Sequence, residues 1–353
     1  MRLRCWRPVV NKSTLQKQIG IASERAAKLG ICVQTVENQV PLRSPIDIRG
    51  LLRCPNCRSP LSEEGEGYKC LACERSFPRE RGVIRFVEPE NYAGSFGFQW
   101  QVYARTQLDD AESRASERDF FRKTGLTAAD LKGKLVLDVG CGIGRFADVA
   151  TRWGARVVGI DLSAAAEVAA KNLADREFVA LQADVFALPF AAQSFDCIYS
   201  IGVLHHTPDC EAAVKALPQY LKPGGTLAVW LYSAYNPWYR FSDLYRRFTH
   251  KMPAKTLHGL LRVVVPVVNG VDRALRAIPL IGAPLSGLVR YVAPVNRNPN
   301  RRWRVLDTFD WYSPKYQSKH TYEEVFRWFE SCGLEDLHVV EVPIAVRGRK
   351  PRA

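Results

Sequence analysis

The run Leu135-Val136-Leu137-Asp138-Val139-Gly140-Cys141-Gly142-Ile143-Gly144-Arg145-Phe146 constrains this 353-residue chain more than any other stretch. Four apolar residues around one aspartate predict a short buried strand. The alternating glycines let the backbone turn sharply and come close to a ligand. Ala147 to Ala150 then resumes at helical spacing, so the loop ends on a helix N-terminus whose free N–H groups favour a polar or anionic ligand. Strand, glycine loop and helix in that order open a doubly wound α/β sheet. A glycine loop alone is weak evidence, because plain tight turns use the same residues. The acids that follow narrow the reading.

The dinucleotide fingerprint asks for a third Gly or Ala three residues after the second. Here position 145 is Arg, and the third glycine comes early at Gly144. Asp138 puts a carboxylate at the mouth of the strand, which suits an ammonium-bearing ligand better than a pyrophosphate. Val157 to Asp161 predicts a second strand, ending in an acid able to accept both hydroxyls of a ribose. Phe178 to Leu181 predicts a third, followed by Ala183-Asp184-Val185, whose acid suits an adenine amino group. Phe195 to Ser200 reads as a fourth strand, and Leu221 to Val229 as a Lys-Pro-Gly-Gly turn into a fifth. Taken singly, each acid reads as a helix cap or a solvated loop residue. In register, they read as one site.

On these residues the stretch from Lys134 to Leu231 resembles the class I S-adenosylmethionine-dependent methyltransferases. The resemblance implies a Rossmann-like α/β fold with a seven-stranded sheet, and S-adenosyl-L-methionine as cofactor. It implies that Asp138 and the loop Gly140, Cys141, Gly142 and Gly144 hold the methionine part. Asp161 and Leu162 would hold the ribose, Asp184 and Val185 the adenine, with Ser200 completing the set. Similar Phe-x-x-Gln-Trp segments precede the domain in related enzymes, so Gln99 and Trp100 are expected over the cofactor. Dense aromatics such as these also serve plain packing.

The loop Ser200 to Asp209 follows the fourth strand, at the carboxyl end of the sheet where ligands sit in open α/β folds. Its His205 and His206 are candidate general bases, since an unperturbed imidazole titrates near neutrality. The same pair serves loop packing in relatives with different substrates, and both readings stay open. Methyl transfer from an activated sulfonium asks chiefly for alignment and exclusion of water.

Cys54-Pro-Asn-Cys57 and Cys70-Leu-Ala-Cys73 are separated by twelve residues. Two Cys-x-x-Cys pairs on tight turns predict a structural zinc site of ribbon type, with every metal position filled by thiolate. So small a unit is expected to fold only with its metal. The segment resembles the zinc-ribbon prefix of some bacterial methyltransferases, including ribosomal RNA guanine methyltransferases and many acting on small molecules.

The sequence divides into a poorly committed basic segment (1–49, with a helix predicted over Ser13 to Leu29), the ribbon (50–88) and an aromatic and helical lead-in (89–132). The methyltransferase core (133–233) follows, then a helical cap (234–318), and finally a last helix and strand pair with a basic tail (319–353). The capping pattern Thr321-x-x-Glu324 marks the start of that helix and Gly333 its end. The cap carries apolar runs from Leu257 to Val292 broken by Pro266, Pro279 and Pro284 and punctuated by arginines. It reads as packing, or as an Arg-rimmed lid for an amphipathic acceptor with peripheral membrane contact. Tyr235, Asp310, Tyr312, Tyr316 and His320 are candidate acceptor residues.

Charge is uneven. Of the net +14, residues 1–53 carry ten Lys/Arg against three Asp/Glu, and residues 251–353 seventeen against nine. Basic flanks attract nucleic acid, anionic membrane or acidic substrates without telling them apart. No signal-peptide core and no transmembrane run is evident. Ten cysteines beside such a cofactor signature fit a reducing, cytoplasmic setting. The expected activity is methylation of a small-molecule, glycan or lipid-linked acceptor. The rivals are an RNA base methyltransferase, gripping phosphates with ribbon and basic flanks, and a non-catalytic cofactor-fold module.

Overall fold

The computed structural model describes residues 46–88, 91–110, 113–235 and 239–352. The helix expected over Ser13 to Leu29 lies outside them. In chain order the ribbon gives β1 (Leu61–Glu64), β2 (Gly67–Cys70) and β3 (Ser76–Phe77), followed by the hairpin β4 (Arg79–Glu80) and β5 (Val83–Arg85). The lead-in forms α1 (Gly94–Val102), α2 (Ala115–Thr124) and α3 (Ala128–Leu131). The core alternates β6 (Leu135–Val139), α4 (Arg145–Arg152), β7 (Arg156–Asp161), α5 (Ala165–Asn172), β8 (Phe178–Gln182), β9 (Phe195–Ile201), α6 (Cys210–Lys215) and β10 (Leu221–Trp230). Four helices make the cap: α7 (Tyr239–Thr249), α8 (Ala254–Arg276), α9 (Gly282–Val292) and α10 (Arg301–Tyr312). The chain closes with α11 (Tyr322–Ser331), β11 (Glu335–Val339) and β12 (Ala345–Arg349).

β6 is buried along its whole length, as a strand covered on both faces must be. It lies inside a mixed sheet of order β11-β12-β10-β9-β6-β7-β8-β5-β4. That is nine strands, two more than expected. The additions are β5, which pairs parallel with β8, and β4, antiparallel to β5. The segment counted as ribbon up to residue 88 is thus divided: Leu61 to Phe77 keeps its own three-stranded sheet, and Arg79 to Arg85 extends the main one. Two apolar layers cover the sheet, one around Phe195, Leu217 and Phe329, the other around Phe120, Val149 and Tyr199.

Three further boundaries differ from expectation. The lead-in helix is interrupted at Gly125, whose left-handed backbone (φ 64°) ends α2. Pro266 lies within α8 without ending it. The basic tail is in large part β12, whose Arg347 donates to the Gly125 carbonyl at 2.7 Å while its apolar neighbours are buried. At α11 the Thr321–Glu324 capping box forms in both directions, and Gly333 follows with φ 70°.

Candidate functional site

The strand order reverses at β6, between β9 on one side and β7 on the other, and there the loops at the strands' carboxyl ends diverge. A cavity of about 460 Å³ opens at this point. Its floor is the glycine loop. The amides of Gly140 and Cys141 both donate to the Ile160 carbonyl, at 2.8 and 2.9 Å, which fastens the loop to β7. Gly140 (φ 81°) and Gly142 (φ 53°) hold backbone that L side chains rarely adopt. A Cβ at Gly140 would lie 2.3 Å from the Val203 side chain, and one at Gly142 would press on the Trp100 ring at 3.4 Å.

Asp161 closes this loop from the second strand. Its Oδ2 accepts the Gly142 amide at 3.0 Å, and its Oδ1 accepts the amide and hydroxyl of Ser163 at 2.9 and 2.7 Å. Leu162, Asp184 and Val185 line the cavity beyond it, with Asp184 Oδ1 capping the turn at Phe186. Gln99 and Trp100 form part of the roof. Asn172 ties that roof to the floor, donating to both Ala104 O (2.7 Å) and Ile143 O (3.0 Å). Arg152 fastens the rest of the lead-in through Asp109 and Glu117, at 2.9 and 2.6 Å, and is itself steadied by Asp148 on the same helix at 3.0 Å.

Several expected residues stand elsewhere. Asp138 does not line the cavity; it is buried behind the loop, accepting from Tyr199 Oη at 3.0 Å, and burial pushes its carboxyl up to about 8. Ser200 Oγ donates to Val139 O at 2.9 Å inside the sheet, and Gly144 starts α4 against Leu173. The two adjacent histidines, their rings 4.2 Å apart, differ in what they reach. His205 is fully buried, its ring stacked on Tyr232 at 3.9 Å, and it does not reach the cavity. His206 does. Its Nδ1 meets the Tyr316 carbonyl at 3.0 Å, so Nδ1 carries the hydrogen, and Nε2 is buried without a partner, 3.9 Å from Asp310 Oδ2. Burial holds its pKa below that of a free imidazole.

Of the five acceptor candidates, the cavity takes in Asp310 alone. Tyr235 is exposed and bonded to Glu323; Tyr312 is buried and donates to Pro294 O. Tyr316 packs edge-on against Tyr92, and His320 is held by Ser318 at 2.7 Å. Asp310 itself accepts from Tyr232 Oη at 2.9 Å and faces Gln99 Nε2 at 3.5 Å. Gln99 is 1% exposed and its Oε1 has no partner.

The larger omission is α10. Trp303, Asp307, Asp310 and Trp311 all line the cavity, at the i, i+4, i+7 and i+8 spacing of one helical face. That spacing was available in the sequence. Asn296, Asn298, Tyr92, Phe96 and Trp230 add to the aromatic and amide wall. Lys123 lies over the Trp230 ring at 4.1 Å, and burial brings its pKa down to about 8.

Asp307 takes hydrogen bonds from Gln107 (3.3 Å) and Asn296 (3.0 Å). Burial, then the nearby Asp310 charge, push its carboxyl up to about 7 against the opposing pull of Arg145 and Lys123. Unfolded, it titrates near 3.8. Between these values the folded chain binds the extra proton at Asp307, so this group's contribution to stability is most favourable at low pH and declines as pH rises towards 7. The slope is at most about 1.4 kcal/mol per pH unit. In ligand-free protein, Asp307→Asn is expected to narrow the difference in melting temperature between pH 5 and pH 8. An unchanged difference would mean that Asp307 is ionised throughout.

In the ribbon, the four sulfurs of Cys54, Cys57, Cys70 and Cys73 lie within 4.8 Å of one another, with Cys54–Cys73 at 3.5 Å and Cys57–Cys70 at 3.3 Å. The four are free thiols. The unit also has contact with the main core: Arg58 donates to Leu188 O and Phe190 O, both at 2.7 Å, and Leu52 bridges to Phe190.

Residues 137–229 match a family described as a methyltransferase domain. A ubiquinone biosynthesis O-methyltransferase of Alkalilimnicola ehrlichii is 30% identical over 182 residues, 50% of this chain and 70% of that protein. Methyltransferase GfsG of Streptomyces halstedii is 39% identical over 179 residues, 48% of this chain and 62% of that protein. A ubiquinone biosynthesis O-methyltransferase of Coxiella burnetii is 39% identical over 100 residues, 28% of this chain. The chain spans 43% of the length of that Coxiella relative.

Proposed function

The chain belongs to the class I S-adenosylmethionine-dependent methyltransferases, and we propose that it methylates a hydroxyl oxygen of a small, partly apolar acceptor, with His206 as the general base. The observation that carries this reading is the buried, unpartnered His206 Nε2 beside Asp310 on the cavity wall. Bound on the glycine loop, the cofactor would supply a methyl group already activated on a sulfonium. Asp161 would hold its ribose, Asp184 and Val185 its adenine edge, and Gln99 and Trp100 would cover it. The pocket fits such a group: its floor is bare backbone, and Gln99 Oε1 is an orphaned acceptor in the roof.

The residues of the chain then do four things. The aromatic wall of Phe96, Trp230 and Trp303 binds the apolar part of the acceptor and excludes water. Asp307 and Asp310 accept from its hydroxyls. The Tyr316 carbonyl fixes the His206 tautomer, which leaves the lone pair that would take the hydroxyl proton on Nε2. Asp310 stabilises the imidazolium that results. The relatives named as O-methyltransferases support oxygen as the accepting atom. A small molecule, a sugar or the head of a lipid-linked intermediate would all suit this wall.

The test uses methyl-labelled S-adenosylmethionine with soluble catechols, quinols, glycosides and hydroxylated lactones. Label is expected on oxygen in at least one of them. His206→Ala should lower turnover by about 10²–10⁴-fold with cofactor affinity kept. Full turnover in that variant would remove His206 from the mechanism.

We further propose that the four cysteines hold zinc as a structural ion. A tetrahedral site with Zn–S near 2.3 Å has sulfurs about 3.8 Å apart, close to the spacings seen. The thiolates fill the coordination sphere, which leaves the ion no part in the chemistry.

A further inference from the structure

We propose that the outer face of the helical hairpin α8–α9 docks on an anionic lipid bilayer. The inner side of this hairpin is already full. Leu257, Leu261 and Val265 pack with Val305, Phe309 and Tyr312 in a separate apolar cluster. Asp272, buried between the two helices, receives Ser286 Oγ and Arg290 Nη2, both at 2.6 Å, and locks them together. Nothing in the fold asks for more apolar surface here.

The outer side nevertheless carries it. On α8, Leu260, Val263, Val267 and Val271 are exposed and fall within an arc of about 80° at 100° per residue. On α9, Leu285, Leu288 and Val292 repeat the pattern. Between the helices stand Ile278, Leu280 and Ile281, also exposed. Leu280 is the most telling: it is 98% exposed and held in left-handed backbone, φ 64°. A leucine in that conformation costs the fold stability, and Gly or Asn would avoid the cost. Among the described residues no contact offsets it.

The occupant follows from chemistry. From Tyr239 to Arg304 the sequence has thirteen Lys/Arg and two Asp/Glu, a net +11 in a chain of +14. Lys255, Arg262 and Arg273 are exposed along one flank of the α8 stripe, and Lys251, Arg297 and Arg301 are exposed just beyond the hairpin in sequence. The exposed large apolar residues between 254 and 292 are all Leu, Val or Ile. A protein-binding patch is enriched in Tyr, Trp and Phe at its centre. Aliphatic side chains flanked by cations instead match an interface of acyl chains and anionic headgroups. Among the described residues no helix is long and apolar enough to cross a membrane, so the contact is with the surface.

The test is flotation of the full zinc-loaded chain with vesicles of phosphatidylcholine alone or mixed with phosphatidylglycerol. At about 0.1 M salt, where screening reaches about 10 Å, the chain is expected to float with the mixed vesicles and not with the neutral ones. Leu280→Asp with Ile281→Asp should weaken binding at least about tenfold, with S-adenosylhomocysteine binding unchanged as the control of folding. Leu280→Gly separates this role from a structural one: it should weaken binding while leaving the melting temperature equal or higher. Absence of flotation overturns the proposal. So does self-association abolished by the double aspartate variant, or retention on RNA in place of vesicles. Each of these outcomes is independent of the acceptor chemistry.

Discussion

Cys70→Ser, or removal of the metal by a chelator, is expected to lower the melting temperature by at least about 10 °C and to weaken cofactor binding with it. Structural zinc contributes on the order of 10 kcal/mol to the folding of isolated small domains. A loss of about 7 kcal/mol would give the stated shift, at roughly 1.4 °C per kcal/mol for a chain of this length. The effect should not stay local. The ribbon hands over to β4 and β5, which extend the sheet beside β8, and Arg85 reaches Glu167 on α5. β8 leads into Asp184 on the cavity wall. Metal content, thermal melting and calorimetry with S-adenosylhomocysteine on the same sample are the measurements. Loss of zinc with melting and binding both unchanged would show the ribbon to be an appendage.

Asp161→Ala should weaken S-adenosylmethionine binding by at least about 100-fold. Hydrogen bonds to a charged group contribute about 1.5–3 kcal/mol each, and tenfold in affinity is about 1.4 kcal/mol. Two ribose hydroxyls are at stake. The same carboxylate also receives the Gly142 amide and Ser163, so the substitution loosens the floor as well. Titration calorimetry reads the change directly, and Ser163→Ala provides the comparison: it removes one buttress and leaves the ribose acceptor in place. A loss below about fivefold in Asp161→Ala would place the ribose elsewhere.

The parts of this site that the sequence disclosed are those in which one short window holds both the strand and its ligand-facing residue. Asp161, Asp184 and the glycine loop each end a strand that can be recognised from its own few residues. The parts it concealed depend on distant segments coming together. Asp307 and Trp303 matter because an insertion folds back over the sheet, although their helical phase with Asp310 was in view. His205 and His206 could not be separated, since their rings lie 4.2 Å apart against the same Tyr232 and only distant segments decide which of them borders the cavity. Arg347 to Arg349 looks like a charged tail because its charges dominate the composition, yet all three residues pair with Thr226 to Ala228 of β10. Gly82 to Phe86 reads as a strand continuing from the ribbon, but the sheet that its hairpin joins depends on β8, about a hundred residues further on.

That hairpin has a consequence for how the chain reaches its native state. β5 is made about a hundred residues before β8, its parallel neighbour, so the pairing is non-local and slow to form. Until it forms, Phe178–Gln182 is an apolar strand with an open edge, a template for the same strand of another nascent chain. The hairpin ends the sheet on two-residue β4, whose Arg79 and Glu80 discourage further addition. In a cell short of zinc, the ribbon would therefore fail first as a guard against aggregation. The deficit would show as insoluble protein before it showed as slow catalysis.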